Sequence, residues 1–206
     1  MTKMMTKVIL VRHGITAWND ERRYQGQVDI PLSEAGVRQA QQVALRLAKE
    51  RVGVIYASDL GRAAHTAQII AEQHQLPVTL LPSLREINFG QWEGKTFAEL
   101  RQCYAKEVQD FFCMPADIVI PEGESFRQVK ERASAAILDV VSKHAGETII
   151  AVSHGGTIRA ILCAVLDLDL NKLWSIKQEN TAVSILEFYD QKAFIALLND
   201  THHLML

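Results

Sequence analysis

The apolar positions of this chain come mostly in short continuous runs, and each run ends in polar or charged residues. Val8-Ile9-Leu10-Val11 is four consecutive aliphatics, which leaves no polar face for water and predicts a strand buried on both sides. Residues 54–57 and 78–81 predict two more short strands, and residues 148–152 form the most strand-like run after the first. Between these runs the period changes to that of a helix. Val37, Ala40, Ala44, Leu47 and Ala48 recur at three- and four-residue spacing behind Ser33, a capping residue, with Gly53 marking the end. Ala64, Ala67 and Ile70 predict a second helix, capped by Ser58 or Asp59 and broken before Pro77. Thr96 with Glu99 is a capping box that opens a helix through Leu100 toward Phe111, closed by Pro115. Ser125 with Gln128 is another, ahead of Phe126, Val129, Ala133, Ala136, Ile137, Val140 and Val141, the strongest helical pattern in the chain, which Gly146 terminates. A helix over residues 158–166 follows the fourth strand. Residues 181–188 and 194–198 predict a closing hairpin at a sheet edge. Residues 15–31 are polar and too irregular for a helix or a strand, and a loop that long usually serves function.

Strands alternating with helices predict an α/β fold of three layers: a mostly parallel central sheet, helices on both faces and an antiparallel edge strand. With 206 residues, 48% of them hydrophobic, and no low-complexity linker, one domain over residues 1–206 is expected. The formal charge of −2 gives no global basic surface, so neither nucleic acid nor an anionic membrane is an expected partner. An anion site must then be local. Three cysteines, Cys103, Cys113 and Cys163, are odd in number and widely spaced, which argues against a disulfide framework or structural zinc and for reduced packing residues. No run resembles a signal peptide or a membrane span, so a cytoplasmic protein is expected.

The chemistry sits where the strands stop. In an open parallel sheet ligands collect at the carboxyl ends of the strands, and there this chain delivers Arg12-His13, Arg62, Arg85-Glu86 and His154. Arg62 falls in the first turn of its helix, where a cation is unfavourable unless an anion lies between it and the positive end of the dipole. Arg12 and Arg62, two histidines and a carboxylate around one point suit a phosphoryl group, since the guanidinium fork matches phosphate oxygens. Gly155-Gly156 would leave backbone N–H groups free at a helix N-terminus for the same anion.

Leu10-Val11-Arg12-His13-Gly14, Trp18-Asn19, Pro31-Leu32-Ser33, Ser58-Asp59-Leu60-Gly61-Arg62, Arg85-Glu86, Pro121-Glu122-Gly123-Glu124-Ser125 and Ser153-His154-Gly155-Gly156 together resemble the histidine phosphatase superfamily, also called phosphoglycerate mutase-like. The resemblance covers essentially the whole chain. It implies that His13 is a nucleophile that becomes a transient phosphohistidine. Arg12, Arg62 and His154 would hold the non-bridging oxygens, with help from Asn19 and the Gly155 backbone, and Gln25, in Tyr24-Gln25-Gly26, would stand at the pocket edge. Glu86 would protonate the leaving oxygen and then draw a proton from water; its competing reading is a surface ion pair with Arg85. No metal and no cofactor are implied, because the arginines already supply the positive charge.

After Glu86 the family's mutases carry a longer basic insertion. This chain has Ile87-Asn88-Phe89-Gly90-Gln91-Trp92-Glu93-Gly94 there, and is more similar to the compact phosphatases: α-ribazole-5'-phosphate phosphatase, metal-independent phosphoserine phosphatases and broad-specificity phosphatases. The expected partner is a small phosphate ester, with a homodimer left open. A phosphoglycerate mutase and a non-catalytic phospho-ligand module are the alternatives. Arg22 and Arg23 belong to the substrate rim or to solvent, and Arg159 supports the site or binds a neighbouring carboxylate. Phe89, Trp92, Phe97, Phe111 and Phe112 read as core or lid packing, and His65, His74 and His144 as surface residues; His202 and His203 receive no role.

Overall fold

The computed structural model describes residues 4–190 and 192–205. Six strands form one sheet: β1 (Met5–Arg12), β2 (Val52–Ala57), β3 (Val78–Leu80), β4 (Thr148–Ser153), β5 (Val183–Tyr189) and β6 (Lys192–Asp200). Their order is β3-β2-β4-β1-β5-β6. β1, β4, β2 and β3 pair in parallel, and β5 runs antiparallel to β1 and pairs with β6 at the edge, so the expected three-layer architecture is the observed one. The hairpin begins and ends a little later than its pattern suggests, and Gln191 at its turn lies outside the described residues.

The aliphatic runs are buried on both sides because alternate residues of one strand serve opposite cores. Val8 and Leu10 of β1 face Ala133, Ile137 and Val140 of α6 (Phe126–Lys143) and Ile158 and Ile161 of α7 (Gly155–Val165). Ile9 and Val11 face Val43 and Leu47 of α2 (Glu34–Leu47) and Ala67 and Ile70 of α3 (Gly61–Glu72). A third cluster, built on Phe89, Trp92, Phe111 and Phe126, closes the space beside the strand ends.

Several boundaries differ from the sequence expectation. Residues 15–31 contain a four-residue helix, α1 (Ala17–Asp20), held by a capping box between Thr16 and Asn19. The pattern hid it because one turn has no room for an apolar period. Gly53 lies inside β2, at an irregularity in its pairing, and does not end α2, which stops at Leu47. The helix expected from Thr96 toward Phe111 is two helices, α4 (Phe97–Cys103) and α5 (Ala105–Cys113), broken at Tyr104. No glycine or proline marks that break; the Tyr104 hydroxyl donates to Gln91 Oε1 at 2.8 Å and its ring lies against Trp92, so tertiary contacts set the bend. β3 stops one residue early, and α7 starts directly after His154, three residues earlier than the pattern shows. Only Cys163 packs in a core; Cys103 and Cys113 are exposed, and all three are free. Among the described residues no helix is long and apolar enough to cross a membrane.

The parallel register places the chemistry. Arg12 pairs with Ser153 at the ends of β1 and β4, so the next residue on each strand is a histidine. The loop after His13 then lies tight on α2: a Cβ on Gly14 would stand 2.4 Å from the Gly36 carbonyl oxygen, and one on Gly36 would stand 2.0 Å from that of Ile15. Only glycine permits this approach.

Candidate active site

His13 and His154 lie side by side, ring centroids 5.1 Å apart, 3% and 0% exposed. The His13 Nδ1 is 2.7 Å from the Gly14 carbonyl oxygen, which can only accept, so Nδ1 carries the proton and Nε2 keeps its lone pair. His154 Nε2 is 2.8 Å from Ser58 Oγ, which also accepts from the Leu60 N–H. The Ser58 hydroxyl can then donate to Nε2, leaving the His154 proton on Nδ1, a buried atom without a protein partner.

Both arginines reach this point. Arg62 donates to the carbonyls of Val28 at 2.9 Å and Gly26 at 2.7 Å, which ties the 15–31 loop across the site. Arg12 donates to the Gln178 carbonyl at 2.6 Å. In each, Nε is buried and has no protein partner. Burial lowers the Arg12 guanidinium to about 10 and Arg62 also moves down, so both remain cations at neutral pH.

Burial, and then the two guanidinium charges, push His13 and His154 well below the ordinary imidazole value. Both rings are neutral at pH 7. The unfolded chain protonates these rings near pH 6.5 while the folded one does not, so the unfolded state binds more protons below that pH and stability falls as the solution is acidified. We expect the ring Cε1–H resonances of both histidines to keep their neutral positions from pH 8 to pH 6, and the urea midpoint to fall from pH 7 toward pH 5.5. A native-state titration of either ring near pH 6.5 would contradict this.

Glu86 does not pair with Arg85. Arg85 instead forms a two-pronged bridge to Asp59, at 2.7 and 2.5 Å, which holds the Asp59 carboxyl below its usual range. The Glu86 carboxylate sits on the N-terminus of α7, accepting from the N–H groups of Gly156 and Thr157 at 3.0 Å each. Gly156 is therefore committed within the protein, and of the glycine pair only the Gly155 N–H remains for a ligand, a correction to the expected anion cradle. A Cβ on Gly155 would come within 3.4 Å of Arg12 Nε, so this glycine lies against the guanidinium.

Arg12, His13, Asn19, Gln25, Arg62, Glu86 and Gly155 line one cavity of about 410 Å³. His154 stands beside it through its contact with His13. The Asn19 Oδ1 accepts from Thr16 N–H at 3.0 Å, and Gln25 Oε1 is 2.9 Å from Thr16 Oγ1, so the sequence-predicted edge residues are fixed by the α1 capping turn. The cavity continues outward between Tyr24, Phe97, Phe112 and Trp174, with Arg22 and Arg23 at the same wall. Phe97, Phe112 and the largely buried Phe89 thus line the cavity, while Trp92 and Phe111 are core. Arg159 reaches the cavity directly, its Nε on the Ile176 carbonyl at 2.6 Å and its guanidinium 5.5 Å over Trp174. Among the described residues no group of three or more His, Cys, Asp or Glu side chains could hold a metal.

Three supporting residues, and the role of Ser58, escaped the sequence reading because their partners are distant in the chain. Asp29 accepts from the Gly61 N–H at 2.7 Å and so caps α3 in place of Ser58 or Asp59. Arg132 on α6 binds Glu124 and the carbonyls of Ser83, Arg85 and Glu86, fixing the backbone that carries the carboxylate. Asn180 Nδ2 donates to the His13 carbonyl at 3.0 Å. Ser58 orients His154. Outside the site, His144 is half-buried on the Tyr56 hydroxyl, His74 is half-buried and His203 is buried, whereas His65 is exposed.

Residues 8–201 match the family model described as histidine phosphatase superfamily (branch 1). The chain belongs to that superfamily. Phosphoserine phosphatase 1 of Hydrogenobacter thermophilus is 36% identical over 200 residues, covering 97% of this chain and 95% of the relative. Phosphoglycerate mutase-like protein 4 of Arabidopsis thaliana is 37% identical over 202 residues, 96% of this chain and 86% of the relative. Among solved structures, Bacillus stearothermophilus YhfR superposes with a TM-score of 0.92 at 37% identity, over 97% of this chain and 99% of that one. This histidine phosphatase is a phosphoric monoester hydrolase.

Proposed function

We propose that this histidine phosphatase hydrolyses a small phosphate ester through a phosphohistidine on His13, with water as the final acceptor. The observation that carries the reading is the tautomer of His13: a neutral ring whose Nδ1–H is tied to the Gly14 carbonyl, leaving the Nε2 lone pair in a cavity shared with Arg12, Arg62 and Glu86. A neutral imidazole needs no partner base to attack phosphorus. Arg12 Nε, Arg62 Nε and His154 Nδ1 are buried donors without protein partners, and the phosphoryl oxygens satisfy them while the guanidinium charge offsets what builds on those oxygens. As the ester oxygen departs, Glu86 delivers a proton to it; in the second half it takes one from the water that attacks the phosphohistidine. Free alcohol and inorganic phosphate are the products.

The leaving group occupies the outer cavity. Phe97, Phe112 and Trp174 offer it apolar faces, which suits an ester carrying a flat ring, such as α-ribazole 5'-phosphate, better than a wholly polar one. The test is a panel of α-ribazole 5'-phosphate, phosphoserine and 3-phosphoglycerate with excess chelator. We expect phosphate release from all that bind, with the highest kcat/KM for α-ribazole 5'-phosphate. Dependence on added metal, or 2-phosphoglycerate forming faster than free phosphate, would defeat the reading.

A further inference from the structure

Thr181 stands out in the backbone. Its φ is +52°, and it is the one β-branched residue with positive φ among the described residues. The left-handed region crowds a β-branched side chain, and such a residue stays there only when its surroundings hold it. Thr181 is fully buried just ahead of β5, and its N–H is shared between the carbonyls of Arg12, at 3.0 Å, and His13, at 3.3 Å. The strained amide therefore touches the main chain on both sides of the bond that joins the two site residues.

What holds Thr181 comes from residues 200–203. His203 is 4% exposed; its Nε2 lies 3.2 Å from Thr181 Oγ1 and its Nδ1 lies 3.2 Å from Arg46 Nη1. A guanidinium only donates, so Nδ1 accepts and Nε2–H donates to the threonine. Arg46, on α2, is itself fixed by its ion pair with Asp200 and by the Asp200 carbonyl. Burial, then Arg46, lowers His203 to about 4, which keeps this tautomer neutral at pH 7.

We propose that His203 and Thr181 are positioning residues for the phosphoryl transfer: His203 clamps Thr181 in its left-handed conformation, and the Thr181 amide fixes the main chain of Arg12 and His13 so that the nucleophile and the first guanidinium keep their relative placement. This rests on His13 being the nucleophile. The chain of contacts runs from Asp200 through Arg46, His203 and Thr181 to the catalytic turn, and no member except the turn lines the active-site cavity.

Glycine at 181 separates this from ordinary stabilisation, because it occupies φ +52° without strain and needs no clamp. Four proteins are compared on p-nitrophenyl phosphate, at a temperature where circular dichroism shows each to be folded: wild type, His203→Ala, Thr181→Gly and the double variant. Small misplacements of a reacting group cost on the order of 10- to 100-fold, so His203→Ala lowers kcat by about that factor with KM within about 3-fold. In the Thr181→Gly background the same substitution costs about 3-fold or less. An equal loss of kcat in both backgrounds, or a lower melting temperature with unchanged kcat, overturns the proposal. Should His203→Ala not fold, His203→Phe, which fills the space but offers no donor to Thr181 Oγ1, takes its place in the same comparison with the same expected and overturning outcomes. Wild-type turnover that survives His13→Ala would instead count against the nucleophile assignment, so the two failures are distinguishable.

Discussion

His13→Ala is expected to remove turnover, by on the order of 10⁴-fold or more, while leaving the fold and phosphate binding in place. The magnitude follows from the role: among the described residues no other histidine lines the cavity, and the neighbouring His154 turns its Nε2 to Ser58. The fold survives because the His13 backbone is held independently of its ring, its N–H on the Ser153 carbonyl and its carbonyl on the amide of Thr181 and the side chain of Asn180. Affinity for inorganic phosphate should change only a few-fold, since Arg12 and Arg62 keep their anchors on Gln178, Val28 and Gly26. Rapid quench with ³²P-labelled ester should trap an acid-labile, base-stable phosphoenzyme in wild type and none in His13→Ala. A phosphoenzyme that persists in the variant would place the nucleophile elsewhere.

Glu86→Gln should separate the two halves of the reaction. With an alkyl phosphate the departing alkoxide needs a proton, and loss of the acid should lower kcat by about 10²- to 10⁴-fold. With p-nitrophenyl phosphate the leaving group departs without that help, so the first half stays fast. The second half still lacks its base, and we expect a burst of about one equivalent of nitrophenol followed by slow release of phosphate. The substitution also has a structural cost, because both Glu86 oxygens accept from the start of α7 and an amide nitrogen would face one of those N–H groups. That local mismatch is worth about 1–3 kcal/mol and should appear in the unfolding midpoint for either substrate. Equal losses in the first step for both esters would remove Glu86 from the acid role.

Much of this was legible in the chain. The strands were readable because a strand buried on both faces admits no polar residue, and the two capping boxes were readable because their partners lie three residues apart. The site residues were readable as a set, since four of the five follow strand ends and the fifth opens a helix where a cation is otherwise misplaced. What could not be read depends on partners remote in sequence: Asp29 capping α3 from 32 residues away, Arg132 clasping Glu124 and the backbone of Glu86, and Tyr104 bending the α4–α5 segment toward Gln91. The same holds for Gly156, whose N–H looked available only because Glu86 lies 70 residues earlier.

By itself the sequence determined the layered α/β plan and offered Arg12, His13, Arg62, Glu86 and His154 as the candidate site, because burial and strand-end placement are local properties. Only the tertiary structure decided how those residues are poised. The register of β1 with β4 sets His13 against His154, the Gly14 carbonyl selects the His13 tautomer, and Glu86 takes up the positive end of α7. Proton positions and lone pairs follow from which atoms meet across the fold, and a contact between residues far apart in the chain leaves no period or spacing to read.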